Sequence, residues 1–439
     1  MTAMIPYGRQ DISQADIQAV VDVLRSDYLT QGPAVPAFEN AVAEYCGAQH
    51  AVAVNSATSA LHIACLALGV GPGDWVWTSP ITFVASANCA LYCGAQVDFV
   101  DIDSRTYNMS VERLAEKLAQ AEKTGKLPKV VIPVHLCGQP CDMAAIHALA
   151  QRYGFKIIED ASHAIGGKYR APSDSVIAKK PLAASEARQE ATPQPSVIAR
   201  SDATPKPSVI ARSETTRQSS VFEPIGNCRY SDITIFSFHP VKIITTGEGG
   251  MALTNDAQLA KRMRLLRSHG ITSTPEEMHP RPQEEIWNYQ QIDLGFNYRM
   301  TDIQAVLGLS QMQRLDEFVT KRHAIAQRYD ELLANMPVVT PWQHEAGYSS
   351  FHLYPIRLRL GEINKTHRQV YEALLAAGIG VNLHYIPVYR QSYYEKMGFR
   401  KGYCPEAEHY YLEVISIPMY PGLTELQQDR VINVLRNCL

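Results

Sequence analysis

The sequence has no excess of positive charge: 41 Lys and Arg stand against 44 Asp and Glu, a net charge of −3. A nucleic-acid binder neutralises phosphates with a clustered basic surface, so none is expected as a partner. Long hydrophobic runs are also missing. No stretch reaches the ~18 apolar residues a membrane span needs, and the longest, around Leu61 to Val70, is interrupted by His62 and Gly69. The first ten residues, Met1 to Gln10, carry no basic segment followed by an apolar one, so no secretion signal is read. The nine cysteines are odd in number and scattered, which suits reduced thiols better than a disulfide framework. Cys137 and Cys141 lie close in sequence, but no second Cys/His pair has matching spacing, so no metal site is expected. These absences together describe a cytoplasmic protein free of membrane and nucleic acid.

What is present is enough chain, 439 residues with 46% hydrophobic, for two domains plus additions. From about residue 12 to 165, short apolar runs alternate with helical periodicity. His50–Val54, Trp75–Thr78, Gln96–Val100, Lys129–Val134 and Lys156–Glu159 read as buried strands. Asp16–Arg25, Val35–Tyr45, Ser59–Leu68, Val111–Ala121 and Met143–Tyr153 read as helices. Buried strands alternating with helices imply an α/β fold with a mostly parallel sheet, whose ligands sit beyond the carboxyl ends of the strands. Residues 171–224 break the pattern. Ser-Val-Ile-Ala-Arg-Ser begins at Ser196 and again at Ser208, a third copy starts at Ser220, and a distant one starts at Ser175. Rich in Pro, Ser, Ala and Thr, this tract is expected to be a flexible insertion, since it has too little apolar surface to offset ordering entropy. A strand at Asp232–Phe238, a helix at Ala257–Arg267 and one long helical pattern from Asp302 to Leu333 follow. Beyond these, Phe351–Leu358, Lys365–Ala377 and Gly380–His384 form a smaller α+β unit, with helices near Ala407 and Glu425. The expected division is a large domain over 1–310, including an N-terminal arm and the insertion, and a small C-terminal domain over 311–439.

Three segments carry chemistry. In Phe236–Gly250, Lys242 follows a strand and precedes a glycine-rich turn. A lysine in a tight, partly desolvated turn sheds its proton near neutral pH and attacks a carbonyl; an ordinary solvated loop lysine would look the same in isolation. In Ile157–Gly167, Asp160 ends a buried strand, where it can hold a pyridine nitrogen protonated or merely cap the next turn. His163, three residues on, can stack on a ring or be structural. Asn55–His62 lies between a strand and a helix, and its Thr58 and Ser59 suit either an anion site or an ordinary helix cap.

The order phosphate cradle, Asp, Lys resembles fold-type I pyridoxal-phosphate (PLP) enzymes. Tyr28–Gly32, Asn55–Ala60, Thr78–Asn88, Glu159–Ala164, Phe236–Gly250, Arg267–Gly270 and Gly295–Asp302 together resemble the DegT/StrS family of sugar-nucleotide aminotransferases. That resemblance covers the chain apart from the insertion. It implies that Lys242 carries the cofactor as a Schiff base and shuttles a proton, and that Asp160 pairs with the pyridine nitrogen. Phe83 and His163 would take the two ring faces, and Thr58, Ser59 and Ser237 the phosphate. Asn297 would reach that phosphate from the other subunit of a homodimer with shared sites. Thr30, Gln31, His352, His384 and Tyr385 would lie on the sugar nucleotide. Relatives that remove a sugar hydroxyl carry His at the Lys242 position, so transamination is favoured over dehydration; a regulator that binds PLP without turnover is the remaining alternative. Leu29–Gly32, Asn55–Ala60, His352–Pro355 and His384–Tyr389 resemble the PseC-type branch. That branch aminates C4 of a UDP-linked 4-keto-6-deoxy-N-acetyl sugar on the route to pseudaminic acid, with glutamate as donor; other 4-keto sugar nucleotides share much of the same wording. The departure from the family is the insertion, whose flanks are intact.

Overall fold

In the computed structural model, which describes residues 4–170, 222–280 and 285–439, the short apolar runs become one central sheet. Its strands are β1 (His50–Val54), β2 (Trp75–Thr78), β3 (Gln96–Phe99), β4 (Val130–Ile132) and β5 (Lys156–Asp160). After a pair formed by β6 (Lys168–Arg170) and β7 (Phe222–Pro224), the sheet is completed by β8 (Ile233–Ser237) and β9 (Gly250–Thr254). The order is β1-β9-β8-β5-β4-β2-β3, and every neighbouring pair is parallel except the two made by β9.

Strands β4, β8 and β9 are buried at every residue because helices cover both faces of the sheet. Successive side chains point to opposite faces. Val52, Val54, Ile233, Ile235 and Ala252 pack with α3 (Ala57–Ala67), α4 (Ala85–Tyr92) and α7 (Ala257–Arg267). Ala51, Ala53, Met251 and Leu253 pack on the other side with α2 (Ala34–Cys46), α5 (Val111–Thr124) and α6 (Met143–Tyr153). Helix α1 (Gln14–Leu24) lies against α8 (Asp302–Met312).

The expected continuous helix over Asp302–Leu333 is two helices, α8 and α9 (Leu315–Leu333), with Arg314 out of helical geometry at φ −110°, ψ 7°. The break lets Arg314 reach back to the N-terminal arm, 2.8 Å from Asp11 and 2.6 Å from the buried carboxylate of Asp16. Asp16 also accepts from Ser310 Oγ and Gln311 Nε2 at 2.6 and 2.7 Å. A buried carboxylate needs such partners, and helical periodicity gives no notice of them.

Short β10 (Ile271–Thr272) pairs with β11 (Gln290–Gln291). The C-terminal unit has its own core, where β12 (Val338–Val339), β14 (Tyr354–Leu358) and β15 (Val414–Ile417) form a sheet. Strand β13 (Gly347–Tyr348) instead joins β6. Helices α10 (His367–Ala376) and α13 (Glu425–Cys438) close that core, whereas Tyr394 of α11 (Ser392–Lys396) and Ala407 and Tyr410 of α12 (Pro405–Glu413) pack into the core of the large unit. Helix α9 joins the two units: Leu315, Phe318 and Val319 pack in the large one, Ile325, Tyr329 and Leu333 in the small one. The N-terminal arm crosses as well, since buried Ile5 pairs with Ile379. Gly380–His384 makes a single bridge, Asn382 to Ser416, in place of a ladder.

Of the expected insertion 171–224, residues 171–221 lie outside the described residues. Phe222–Pro224 belong to the fold as β7, with Phe222 opposite Arg170 and Glu223 opposite Tyr169. Their composition blends into the tract before them; the pairing with β6 is what claims them. The chain therefore leaves and re-enters the fold at neighbouring positions of one antiparallel ladder, where a two-residue turn would close it. A chain with Asn-Gly in place of residues 171–221 is expected to unfold within about 3 °C of the full protein by calorimetry. A drop of more than about 10 °C would show that the excised residues support the fold.

Candidate active site

Strands β1, β4, β5 and β8 run parallel, so their carboxyl ends open on the same edge of the sheet. A cavity of about 510 Å³ lies there, lined by Ser56, Thr58, Phe83, Asp160, His163, Ser237 and Lys242. The C-terminal unit adds His352, Asn382, His384 and Tyr385, and the N-terminal arm adds Tyr7.

At the end of β5, adjacent carboxylates take opposite sides of the sheet. Glu159 turns away from the cavity into a closed network with His135 Nε2 at 2.9 Å and the hydroxyls of Tyr169 and Ser231. Asp160 turns toward the cavity. It accepts from Ser86 Oγ at 2.6 Å and from the Ser162 amide at 3.1 Å, and Thr82 Oγ1 stands 2.8 Å from Ser86. Among the described residues no cationic side chain is within ion-pair distance of Asp160, which leaves a buried acceptor directed at the cavity. Ser86 lies in the first turn of α4 and Thr82 just ahead of that helix, and the i, i+4 spacing of their hydroxyls is the only signal of this support in the sequence.

Lys242 sits in the turn after β8, its amide donating to His239 O at 2.9 Å. Burial strips water from its ammonium and lowers its pKa to about 8, an effect opposed in part by Asp160. Three imidazoles surround it, all kept neutral by burial. His163 and His352 are held well below the usual range, with Lys242 adding to the effect in both, and His384 is pushed down to about 3. The His163 and His352 rings are 4.5 Å apart, and His352 Nδ1 is buried without a hydrogen-bond partner.

Further contacts shape the cavity. A Cβ on Gly250 would stand 2.4 Å from the Ala57 amide, so only glycine lets β9 abut the start of α3. In α3, Ser56 caps the helix by accepting from the Ser59 amide, while the amides of Ala57 and Thr58 meet no acceptor among the described residues. Free amides at a helix N-terminus beside the hydroxyls of Thr58 and Ser237 form an anion cradle. Outside the lining, Arg322 of α9 is fully buried and donates to the carbonyls of Phe351, His352 and Met419 at 3.1, 3.0 and 3.2 Å. Ser350 Oγ donates to His163 O at 2.8 Å, so the loop carrying His352 is tied to the large unit too. An arginine inside a helical pattern reads as solvent-facing, and nothing in the sequence marks this one.

The expected site residues do not all converge. Ser59 directs its hydroxyl at Asn55 Oδ1 (2.7 Å) and Ser56 Oγ (3.0 Å), inside the cap and away from the cavity, and Ser56 stands in the lining instead. Thr30 and Gln31 are exposed and outside this chain's cavity. Asn297 is outside it as well, its backbone bridged to Ser268. Phe83 is 59% exposed at the cavity mouth, its ring 6.4 Å from that of Tyr385. All nine cysteines are buried and unpaired. Among the described residues no helix is long and apolar enough to cross a membrane.

A buried amine, a buried carboxylate and free helix amides thus meet at one edge of the sheet. The model of the DegT/DnrJ/EryC1/StrS aminotransferase family matches residues 10–184 and 214–436. The chain belongs to that family. Its sequence is 35% identical over 436 residues to the spore coat polysaccharide biosynthesis protein SpsC of Bacillus subtilis (strain 168), covering 99% of this chain and 96% of that protein. It is 34% identical over 420 residues to the UDP-4-amino-4,6-dideoxy-N-acetyl-beta-L-altrosamine transaminase of Campylobacter jejuni, covering 95% and 93%. Among solved structures it is similar to Helicobacter pylori PseC, described as an aminotransferase in pseudoaminic acid biosynthesis, with TM-score 0.80, 26% identity and 99% of each chain covered. The family fold is fold-type I, and the one break in the family match, residues 185–213, falls inside the Ser/Pro-rich tract.

The depressed Lys242 pKa has a direct consequence, because only the neutral amine is a nucleophile. In cofactor-free protein, acetylation of Lys242 by acetic anhydride, mapped by mass spectrometry, is expected to rise with pH and inflect near 8, below the exposed lysines. An inflection above about 10 would mean that the amine is hydrated.

Proposed function

We propose that the chain is a PLP-dependent aminotransferase that moves an amino group from glutamate to C4 of a UDP-linked 4-keto-6-deoxy-N-acetylhexose. The observation that carries this reading is the pair of Lys242, an amine close to neutrality, and Asp160, a buried carboxylate with no cationic side chain in ion-pair contact among the described residues. PLP is the family's cofactor, and the residues present suit it: an amine for its aldehyde, a carboxylate for its ring nitrogen, and a cradle for its phosphate. When bound, the cofactor supplies a reactive aldehyde and a ring that withdraws electrons from the carbon carrying the amino group.

The protein's own groups divide the remaining work. Lys242 Nζ, neutral above about pH 8, would hold the cofactor's aldehyde and would be the base that moves the proton. Asp160 keeps the ring nitrogen protonated, and Ser86 and Ser162 fix the carboxylate for that task. Thr58 and Ser237, with the free amides of Ala57 and Thr58, hold the phosphate. Phe83 and His163, which line the cavity, would hold the cofactor ring, and His163, neutral, would add no charge against a protonated ring nitrogen. His352, His384 and Tyr385 line the side where the sugar nucleotide enters.

Thr30, Gln31 and Asn297 stand outside this chain's cavity, so the homodimer of the reading has each subunit complete the other's site, with Asn297 of the partner subunit on the phosphate. A UDP-linked 4-keto sugar is favoured by the C. jejuni transaminase, whose name carries a UDP-linked 4-amino sugar, and by the likeness to PseC.

The purified protein with PLP is expected to show a visible absorption band that bleaches on adding glutamate and returns on adding the UDP-4-keto sugar. Lys242→Ala should lower turnover by at least about 10³-fold. No bleaching by glutamate in the wild type would sink the reading. Mixing Lys242→Ala with Asn297→Ala chains tests the shared site: each mixed dimer regenerates one intact site, so activity should recover to about a quarter of wild type. No recovery from demonstrably mixed dimers would place each site within one chain.

A further inference from the structure

Tyr385 and His163 line the same cavity, and the backbone decides where the tyrosine's proton points. The amide of Cys137 donates to His163 Nδ1 at 3.2 Å. An amide can only donate, so Nδ1 is an acceptor and carries no proton. Burial, reinforced by Lys242 and His384, keeps this imidazole neutral, and its one proton is therefore on Nε2. Nε2 is 3.2 Å from the hydroxyl oxygen of Tyr385, and the rings are nearly parallel at 24°. Were that hydroxyl the donor instead, both ring nitrogens would be acceptors and the imidazole would have to be an anion.

His163 thus donates to Tyr385, and the tyrosine's own proton is left for something else. Among the described residues its hydroxyl has no other partner, while its side chain lines the cavity with Lys242 and Asp160. A hydroxyl that accepts one hydrogen bond becomes a better donor of the next. Burial also keeps the phenol from ionising.

We propose that Tyr385 is a catalytic residue that donates its hydrogen bond to the keto oxygen of the substrate as that oxygen is exchanged for nitrogen. This rests on the aminotransferase reading and adds a group to it. When an amine adds to a ketone, the C=O electron pair moves onto oxygen, and the oxygen leaves as water with two hydrogens that came from the amine. Negative charge grows on the oxygen in between, where a fixed hydrogen-bond donor is most effective. In the reverse direction the same oxygen arrives as water, so one donor serves both substrates and ends each cycle with its proton restored.

The test compares wild type with Tyr385→Phe as PLP-loaded enzymes, using two reactions of glutamate. Exchange of its Cα hydrogen with D2O, followed by NMR, needs proton transfer but no water addition; release of 2-oxoglutarate needs both. Tyr385→Phe is expected to keep the exchange rate, the cofactor band and the PLP affinity of the apo-enzyme within about twofold, yet to release 2-oxoglutarate about 10²–10³-fold more slowly. Its half-saturating glutamate concentration should change by less than about threefold. Product release at the wild-type rate overturns the proposal. So does an equal loss of exchange and release, which would mean that Tyr385 merely positions His163 and its neighbours. A wild type that neither exchanges nor transaminates defeats the underlying aminotransferase reading instead, and the proposal with it.

Discussion

The desolvation of Lys242 is the constraint on which the site depends. An ammonium is stable in water, and making it a nucleophile near neutral pH requires taking the water away without supplying a full counter-charge. The fold meets both demands. The strand ends, the Gly250 contact and the small-unit loop close around the amine, while Asp160, a buried carboxylate that lines the same cavity, is fixed by Ser86 and Ser162. Three imidazoles fill the wall without adding charge. A protonated histidine there would push Lys242 lower still and would compete for Asp160.

Building that wall takes two folding units, and the chain ties them together with buried polar contacts rather than apolar surface alone. Arg322 reaches from α9 to three carbonyls around His352, and Ser350 fastens the same loop to His163. A buried guanidinium with no carboxylate is tolerable only when several carbonyls share its charge. It is therefore demanding about geometry, which suits a residue that must hold a loop in one place. The amides of Cys137 and Cys141 act similarly on a smaller scale, each setting the tautomer of a histidine.

Much of the fold was legible because periodicity reports burial directly. The strand at His50–Val54 and the helix at Met143–Tyr153 have the bounds their apolar patterns gave. The legibility failed where a polar contact overrode a pattern. Arg314 breaks an otherwise continuous helix to reach Asp11 and Asp16, and Phe222–Pro224 join the fold only because Lys168–Arg170 pair with them. At the site, Lys242, Asp160, His163, Thr58 and Ser237 come from three separate segments and share one cavity. Ser59 shows the limit: two hydroxyls next to each other in sequence look equivalent, yet at a helix start one faces the cavity and the other faces the cap.

The sequence by itself determined the alternation of strand and helix, the chemical types brought to the strand ends, and the family they resemble. These are local or ordered properties, written in spacing and residue type. Only the tertiary structure decided that Ser86 supports Asp160, that Arg322 holds the His352 loop, that Thr30, Gln31 and Asn297 stand outside the chain's own cavity, and which way the proton of Tyr385 is directed. Each of those depends on donors and acceptors far apart in the chain meeting at hydrogen-bond distance, and a linear pattern holds no record of which partners meet.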